Sequence, residues 1–390
     1  MKKKVLIGVA IILIIILLIF ATLFIIDNIK MNNNEEVIFS TWGRDYTVSK
    51  TEENTSKSEN NIKDQENNDI NFPLTMDDEI QNNTAWCGTF QLIWNDLKND
   101  LAKQDIVFID DPNLQVVENL NKEEFKEEDL SEESYYKTYG HPSIEFKKQI
   151  EEAIKEKFNE TSDILDDFNW SNSGPNDYFL YCMLKKEFEF PVAFDKLDKG
   201  TFANKYNDIE YFGLEKDSEE QKRNQVQVLY YESDNKFAVK LTTEQNDEVI
   251  LSKGIEGNTF NEIYNTINEE SKKYTGSRIF TEKDSLKIPN INFDKKQEFK
   301  ELEGKPFYFS DGSEYYIDKA LQTIKFELDN EGGRIKSEAG MMTKEMALAL
   351  DYNEEERNLH LDDEFSIFLK EKDKEKPYFA AKITDISKFQ

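Results

Sequence analysis

The sequence is short of the side chains on which common site chemistries depend. Two cysteines in 390 residues do not make a disulfide scaffold. The two histidines, His141 and His360, sit in no recognisable motif, so His/Cys ligand spacing is absent. Acidic runs such as Glu151-Glu152 and Asp362-Asp363-Glu364 lack the loop spacing of a calcium site. The chain has no G-x-x-x-x-G-K-[ST], no G-x-G-x-x-G and no G-x-S-x-G. No metal and no small-molecule cofactor is expected from these absences. Positive charge is also scarce: 49 Lys and Arg stand against 79 Asp and Glu, a net charge of −30. Such a surface repels phosphate backbones, which excludes nucleic acid as the expected partner. Carboxylate pairs are so abundant that none stands out as catalytic, and no enzyme is expected.

What the chain does have begins with Met1-Lys-Lys-Lys4, a four-residue cytoplasmic tail in this reading, followed by an apolar run that opens at Val5 and closes at Ile26. That is about the twenty residues needed to cross a hydrocarbon core. Three lysines before the run against Lys30 after it put the N-terminus in the cytoplasm. A cleaved signal peptide would have a shorter apolar region and a small-x-small site, whereas this run ends in Leu-Phe-Ile-Ile. The expectation is an uncleaved single-pass anchor over 5–26 with the remainder outside the cell. Residues 27–76 are rich in Asn, Glu, Lys, Ser and Asp and read as a disordered tether, apart from Val37-Ile-Phe39 and Trp42. As a coil of about 45 residues it would reach only ~40 Å.

The folded region is expected over 77–390. Phe90, Ile93, Trp94, Leu97 and Leu101 share one helical face. A second helix is expected from Pro142 to Phe158, with the proline in its first turn and Phe146, Ile150, Ile154 and Phe158 buried. Thr259-Phe-Asn-Glu262 has capping-box spacing and opens a helix carrying Phe260, Ile263, Tyr264 and Ile267. From Tyr178 on, strands dominate: the apolar run to Leu184 suits a strand covered on both faces, and Val226 and Val228 alternate with glutamines. Helices early and strands late indicate an α+β domain with a large β-sheet.

Cys87, in Trp86-Cys-Gly-Thr-Phe90, reads as a buried structural thiol beside a core helix. Two alternatives stay open. One is a nucleophile favoured by a helix start, which would make a cysteine peptidase. The other is a disulfide with Cys182, closing a loop of ~95 residues and contributing up to ~4–5 kcal/mol.

The C-terminal stretch carries the clearest pattern. Ile324, Phe326 and Leu328 alternate with charged residues, as in a half-buried strand, and Asn330-Glu-Gly-Gly333 then allows a change of direction. The segment 334–363 has no strong periodicity and carries Glu354-Glu-Glu-Arg357, so it reads as a long exposed loop. Phe365-Ser-Ile-Phe-Leu369 and Tyr378-Phe-Ala-Ala-Lys-Ile383 flank a charged turn and read as a closing buried hairpin.

That order resembles the last third of the serpins, a family of protease inhibitors. Asn330-Glu331-Gly332 with Ser337-Glu338-Ala339-Gly340 stands in place of the serpin hinge, and 360–369 in place of the segment after the reactive loop. Weaker matches precede them in register: 178–188 with Pro191-Val-Ala-Phe194, the pieces 225–231 and 237–241, and 285–293. The likeness thins out before Glu160. It implies a serpin-like domain over 77–390 with a central sheet, a reactive loop over 334–363, and an extracellular serine or cysteine protease as partner. The family usually has small residues at the hinge, and here Arg334, Ile335 and Lys336 depart from that. If Gly333 points inward, alternation also turns Ile335, Ser337 and Ala339 inward and Arg334 outward. The resemblance places the scissile bond at Met346-Ala347, with Lys344 as the fallback. It leaves two functional classes: a membrane-tethered suicide inhibitor, or a descendant without inhibition that serves as a cell-surface binding module.

Overall fold

The computed structural model describes residues 70–334 and 356–390. The apolar run 5–26 bounded by Val5 and Ile26, the tether as far as residue 69, and the loop positions Ile335, Ser337, Ala339, Met346 and Ala347 lie outside the described residues. Among the described residues no helix is long and apolar enough to cross a membrane.

Strand β1 (Thr84–Cys87) leads into the helix Thr89–Asp96, which widens into a π-helix over Leu97–Ala102, and then the helix Gln115–Asn121. Strand β2 (Tyr135–Gly140) and the helix Ile144–Phe158 precede β3 (Phe179–Leu184) and β4 (Glu187–Glu189). Next come β5 (Asp195–Phe202), β6 (Tyr206–Leu214), β7 (Val226–Ser233), β8 (Lys236–Thr242) and β9 (Asp247–Lys253), then the helix Phe260–Lys273. Strands β10 (Ser285–Pro289), β11 (Ile291–Glu298), β12 (Pro306–Tyr308) and β13 (Glu314–Tyr316) follow. The last are β14 (Leu321–Leu328), β15 (Gly332–Arg334), β16 (Asn358–His360), β17 (Phe365–Glu371) and β18 (Phe379–Ile383).

The C-terminal hairpin is apolar on both faces because it sits in the middle of a sheet. The order is β1-β18-β17-β9-β8-β7, antiparallel throughout. On one face Phe368 meets the rings of Phe260 and Tyr264 at 6.1 and 5.2 Å; on the other, Phe379 stacks on Phe326 of β14 at 4.6 Å. That second contact joins the six-stranded sheet to another of order β11-β14-β15-β4, also antiparallel throughout. A third sheet, β16-β10-β6-β5, is antiparallel except for the parallel pair β16–β10. Strands β2 and β3 pair antiparallel. The helix Ile144–Phe158 covers them: Ile150, Ile154 and Phe158 pack with Phe179 and Tyr181 in a small second core. Cys182 and Leu184, on the other face of β3, pack against the main core, so β3 is covered on both faces as its composition predicts.

Three expectations need correction. Described structure begins at Ile70, not Asp77, and Ile70, Phe72, Leu74 and Met76 are buried. The segment bends at Leu74 and Thr75, whose amides donate to the Asp78 carboxylate at 3.0 and 2.8 Å. The backbone of Phe72 is held both ways by the Gln297 side chain, at 2.8 and 3.0 Å. The second helix starts at Ile144: Ser143 caps it by accepting from the Phe146 amide at 3.1 Å, and Pro142 lies outside. In the first helix Phe90, Leu92 and Trp94 are buried while Ile93, Leu97 and Leu101 are half-buried. The widening at Leu97 breaks the 3.6-residue period on which the expected face depended. The helix Phe260–Lys273 agrees with expectation. Thr259 accepts from the Glu262 amide, while the Glu262 carboxylate closes on the Asn258 amide, one residue upstream of a standard box.

Candidate functional site: the hinge strand and the slot beside it

Strand β14 ends in a turn built on Asp329. Its carboxylate accepts from the amides of Glu331 and Gly332 at 2.8 and 3.2 Å, and its own amide donates to the Gly332 carbonyl at 2.9 Å. The carbonyls of Asn330 and Glu331 accept from the amides of Phe194 and Phe190, both at 2.8 Å. Glu331 thus acts through its backbone, and its side chain is exposed.

The chain then becomes a strand, not a free hinge. Gly332, Gly333 and Arg334 pair with Glu189, Phe188 and Glu187 of β4, and Gly333 and Arg334 also pair with Leu328 and Glu327 of β14. A Cβ on Gly332 would fall 2.0 Å from the Phe188 carbonyl oxygen, so that position admits no side chain without backbone movement. A Cβ on Gly333 would lie 2.4 Å from the Phe188 ring and 3.0 Å from the Glu327 carbonyl. Phe188 is a core residue, so Gly333 points inward, and Arg334, with its side chain 62 % exposed, points to solvent near Glu327.

Strands β4 and β14 are each antiparallel to β15 and therefore parallel to one another, with β15 standing between them. Strand β4 stops at Glu187, and Lys185-Lys186 separates it from β3. On its free side β14 pairs with β15 only at Glu327 and Leu328, and among the described residues no ladder joins its earlier part to β3. Strand β15 is thus held between β4 and the end of β14, and among the described residues no ladder continues from it along the earlier part of β14.

The loop's far end is anchored where the sequence suggested exposure. The Arg357 guanidinium is buried: it donates to both Asp284 oxygens at 2.8 Å and to the carbonyls of Ser277 and Ile279 at 2.7 Å. Past it, His360 on β16 shares a 2.8 Å hydrogen bond with the Ser285 hydroxyl. Burial, helped by Lys287 and Lys253, holds its imidazole below the ordinary value despite Asp362. Sequence reasoning missed Arg357, taking it as part of the charged run 354–357. It also missed Lys185 and Lys186, which lie between β3 and β4 and in so charged a sequence look like solvated lysines.

Cys87 and Cys182 are both free thiols, so the disulfide is absent. Burial pushes the Cys87 thiol up, outweighing hydrogen bonds from Thr89 and Gly88. That is the opposite of what favours a thiolate nucleophile. Among the described residues no group of three or more His, Cys, Asp and Glu is placed to hold a metal ion.

No family model matches the chain, and no curated protein matches it in sequence. Solved structures do match. Thyroxine-binding globulin in complex with thyroxine is 10% identical over 66% of this chain and 78% of that one, with a TM-score of 0.40. Serpin48 of the insect Tenebrio molitor is 13% identical over 67% and 79%, TM-score 0.35. Human glycosylated kallistatin is 12% identical over 63% and 64%, TM-score 0.38. Within the described residues β7–β8 form the expected hairpin, β15 stands at the hinge and β17–β18 close the chain, whereas β3, expected as a central strand, pairs only with β2. The described residues form an α+β fold of mostly antiparallel sheets.

Proposed function

We propose that this protein is a protease inhibitor of the serpin type, tethered at the outer face of a membrane by residues 5–26, with an extracellular serine or cysteine protease as its target. The observation that carries the proposal is the position of β15. Gly332, Gly333 and Arg334 stand as a strand between β4 and β14, and continuing the same strand would carry the start of the loop alongside β14. In that continuation Gly333, Ile335, Ser337 and Ala339 share the inward parity. Arg334, the first charged departure from the family pattern, is accommodated in solvent.

The mechanism follows from that continuation. A protease attacks the Met346 carbonyl, the Ala347 amine leaves, and the acyl ester or thioester joins the enzyme to Met346. Insertion of the freed segment beside β15 then carries the attached enzyme away before water reaches the acyl group. Mixing the full-length protein with proteases that accept methionine tests this. The expected result is a covalent complex that survives denaturing electrophoresis. Simple cleavage after Met346 without a trapped complex overturns it. A second reading, a non-inhibitory cell-surface binding module, is favoured by Ile335, whose bulk at the next inward position slows insertion relative to hydrolysis.

A further inference from the structure

The hairpin β12–β13 has one buried side and one open side. Its Phe307 turns inward and meets the buried Phe108 ring at 5.9 Å. The segment 106–109 runs beside β12, with the Ile109 amide donating to the Pro306 carbonyl at 2.8 Å. Ile106 and Phe108 are buried, so the two-residue period sends Val107 and Ile109 out on the side away from Phe108. In the hairpin the same period sends out Pro306 and Tyr308, with their cross-strand partners Tyr316 and Glu314, on the side away from Phe307. The two outward sets share one face because Phe108 and Phe307 share the other. Val107, Ile109, Tyr308 and Tyr316 are 50, 44, 47 and 61 % exposed, four of the eight large apolar side chains exposed among the described residues. Tyr178, also exposed, adjoins the hairpin, its ring centre 6.4 and 6.3 Å from those of Phe309 and Tyr315. Such a concentration marks an interaction surface.

Charge selects its occupant. Glu314 lies on the face itself, and Asp110 and Asp311, next to Ile109 and in the hairpin turn, are exposed. Of the nearby lysines, Lys305 is tied to Asp111 at 3.0 Å and Lys103 lies near Asp311. A second copy meeting this face across a two-fold axis would set these carboxylates against themselves. A bilayer would have to take Glu314 in among its headgroups. A cationic protein segment meets neither obstacle. Its Arg or Lys heads can lie over the tyrosine rings and pair with Glu314, while their aliphatic stems cover Val107 and Ile109. We propose that this face docks a basic segment of a partner protein, with Tyr308 and Tyr316 as its anchors and Glu314 as the charge that orients it. Tyrosines in such a place carry much of the binding energy of an interface. The inference is independent of loop insertion.

The test uses the full-length protein and a fluorescent dodecapeptide of alternating arginine and leucine, with a glutamate–leucine peptide as control. Binding is read by anisotropy at about 0.15 M salt, which screens long-range attraction to a net charge of −30. The arginine peptide is expected to bind and to slow hydrogen exchange in 306–316, and the glutamate peptide to do neither. Tyr308→Ser combined with Tyr316→Ser leaves the net charge unchanged and should weaken binding about tenfold. Glu314→Gln, at an exposed position, serves as an independent variant should the double one fail to fold, and should weaken binding several-fold. Equal binding by wild type and folded variants would mean an attraction spread over the whole acidic surface, and overturns the proposal. So does failure of the arginine peptide to bind. Protection of 306–316 by phosphatidylcholine vesicles, or self-association lost in the tyrosine variant, would assign the face to lipid or to a second copy and overturns it as well.

Discussion

Gly333 lies in register with Phe188, and a Cβ at Gly333 would come within 2.4 Å of that ring. The contact makes a glycine the residue that lets the chain re-enter the sheet. Gly333→Ala should cost ~1–3 kcal/mol through overpacking. Arg334→Ala, one position on and exposed, should change stability by less than ~1 kcal/mol. Urea unfolding of both variants checks the pair; a larger loss from Arg334→Ala would mean that the inward and outward assignments are reversed.

The Arg357–Asp284 pair should be the strongest single tie at the loop's far end. Arg357→Ala leaves a carboxylate buried without its cation, which should cost ~3–5 kcal/mol. Arg357→Lys should recover only part of this, since an ammonium cannot bind both Asp284 oxygens and two carbonyls in one plane. Equal melting temperatures for wild type and Arg357→Ala would contradict the assignment.

His360 gives a pH dependence with a definite sign. Its folded pKa lies below the ordinary value of 6.5. Between those two pKa values the unfolded chain binds more protons than the folded one, so stability rises with pH across that window. The contribution is fully present above 6.5 and is lost as the pH falls through the folded pKa. Melting curves from pH 5 to 8 should show His360→Gln with a shallower slope than wild type over this interval; equal slopes would remove His360 as the cause.

Both thiols should resist a water-soluble disulfide reagent in the native protein, Cys87 the more strongly. Both should react on unfolding without prior reduction. Two thiols that appear only after reduction would show that Cys87 and Cys182 are joined after all.

The sequence made some of this legible and not the rest, for physical reasons. Strand β14 and the β17–β18 hairpin were readable because their surroundings are uniform along their length: alternating exposure in one, burial on both faces in the other. The inward parity of Gly333 followed from the two-residue period once the strand was assumed. Buried ionic partners were not readable. Lys186, Asp247 and Glu371 lie far apart in the chain, and in so charged a sequence nothing sets them off from solvated residues. Arg357 was hidden for the same reason, next to three glutamates. The early start of the fold was hidden because Ile70, Phe72, Leu74 and Met76 are spaced singly among polar residues.

The most direct test of the account is the melting temperature of the full-length protein before and after a single cut in the segment 335–355. If the freed strand enters alongside β14 as a continuation of β15, the nicked protein gains ladder hydrogen bonds and buries the inward residues. Its melting temperature should then rise by about 10 °C or more, equivalent to several kcal/mol for a domain of this size. A nicked protein that melts at the same temperature as the intact one, or lower, would contradict it.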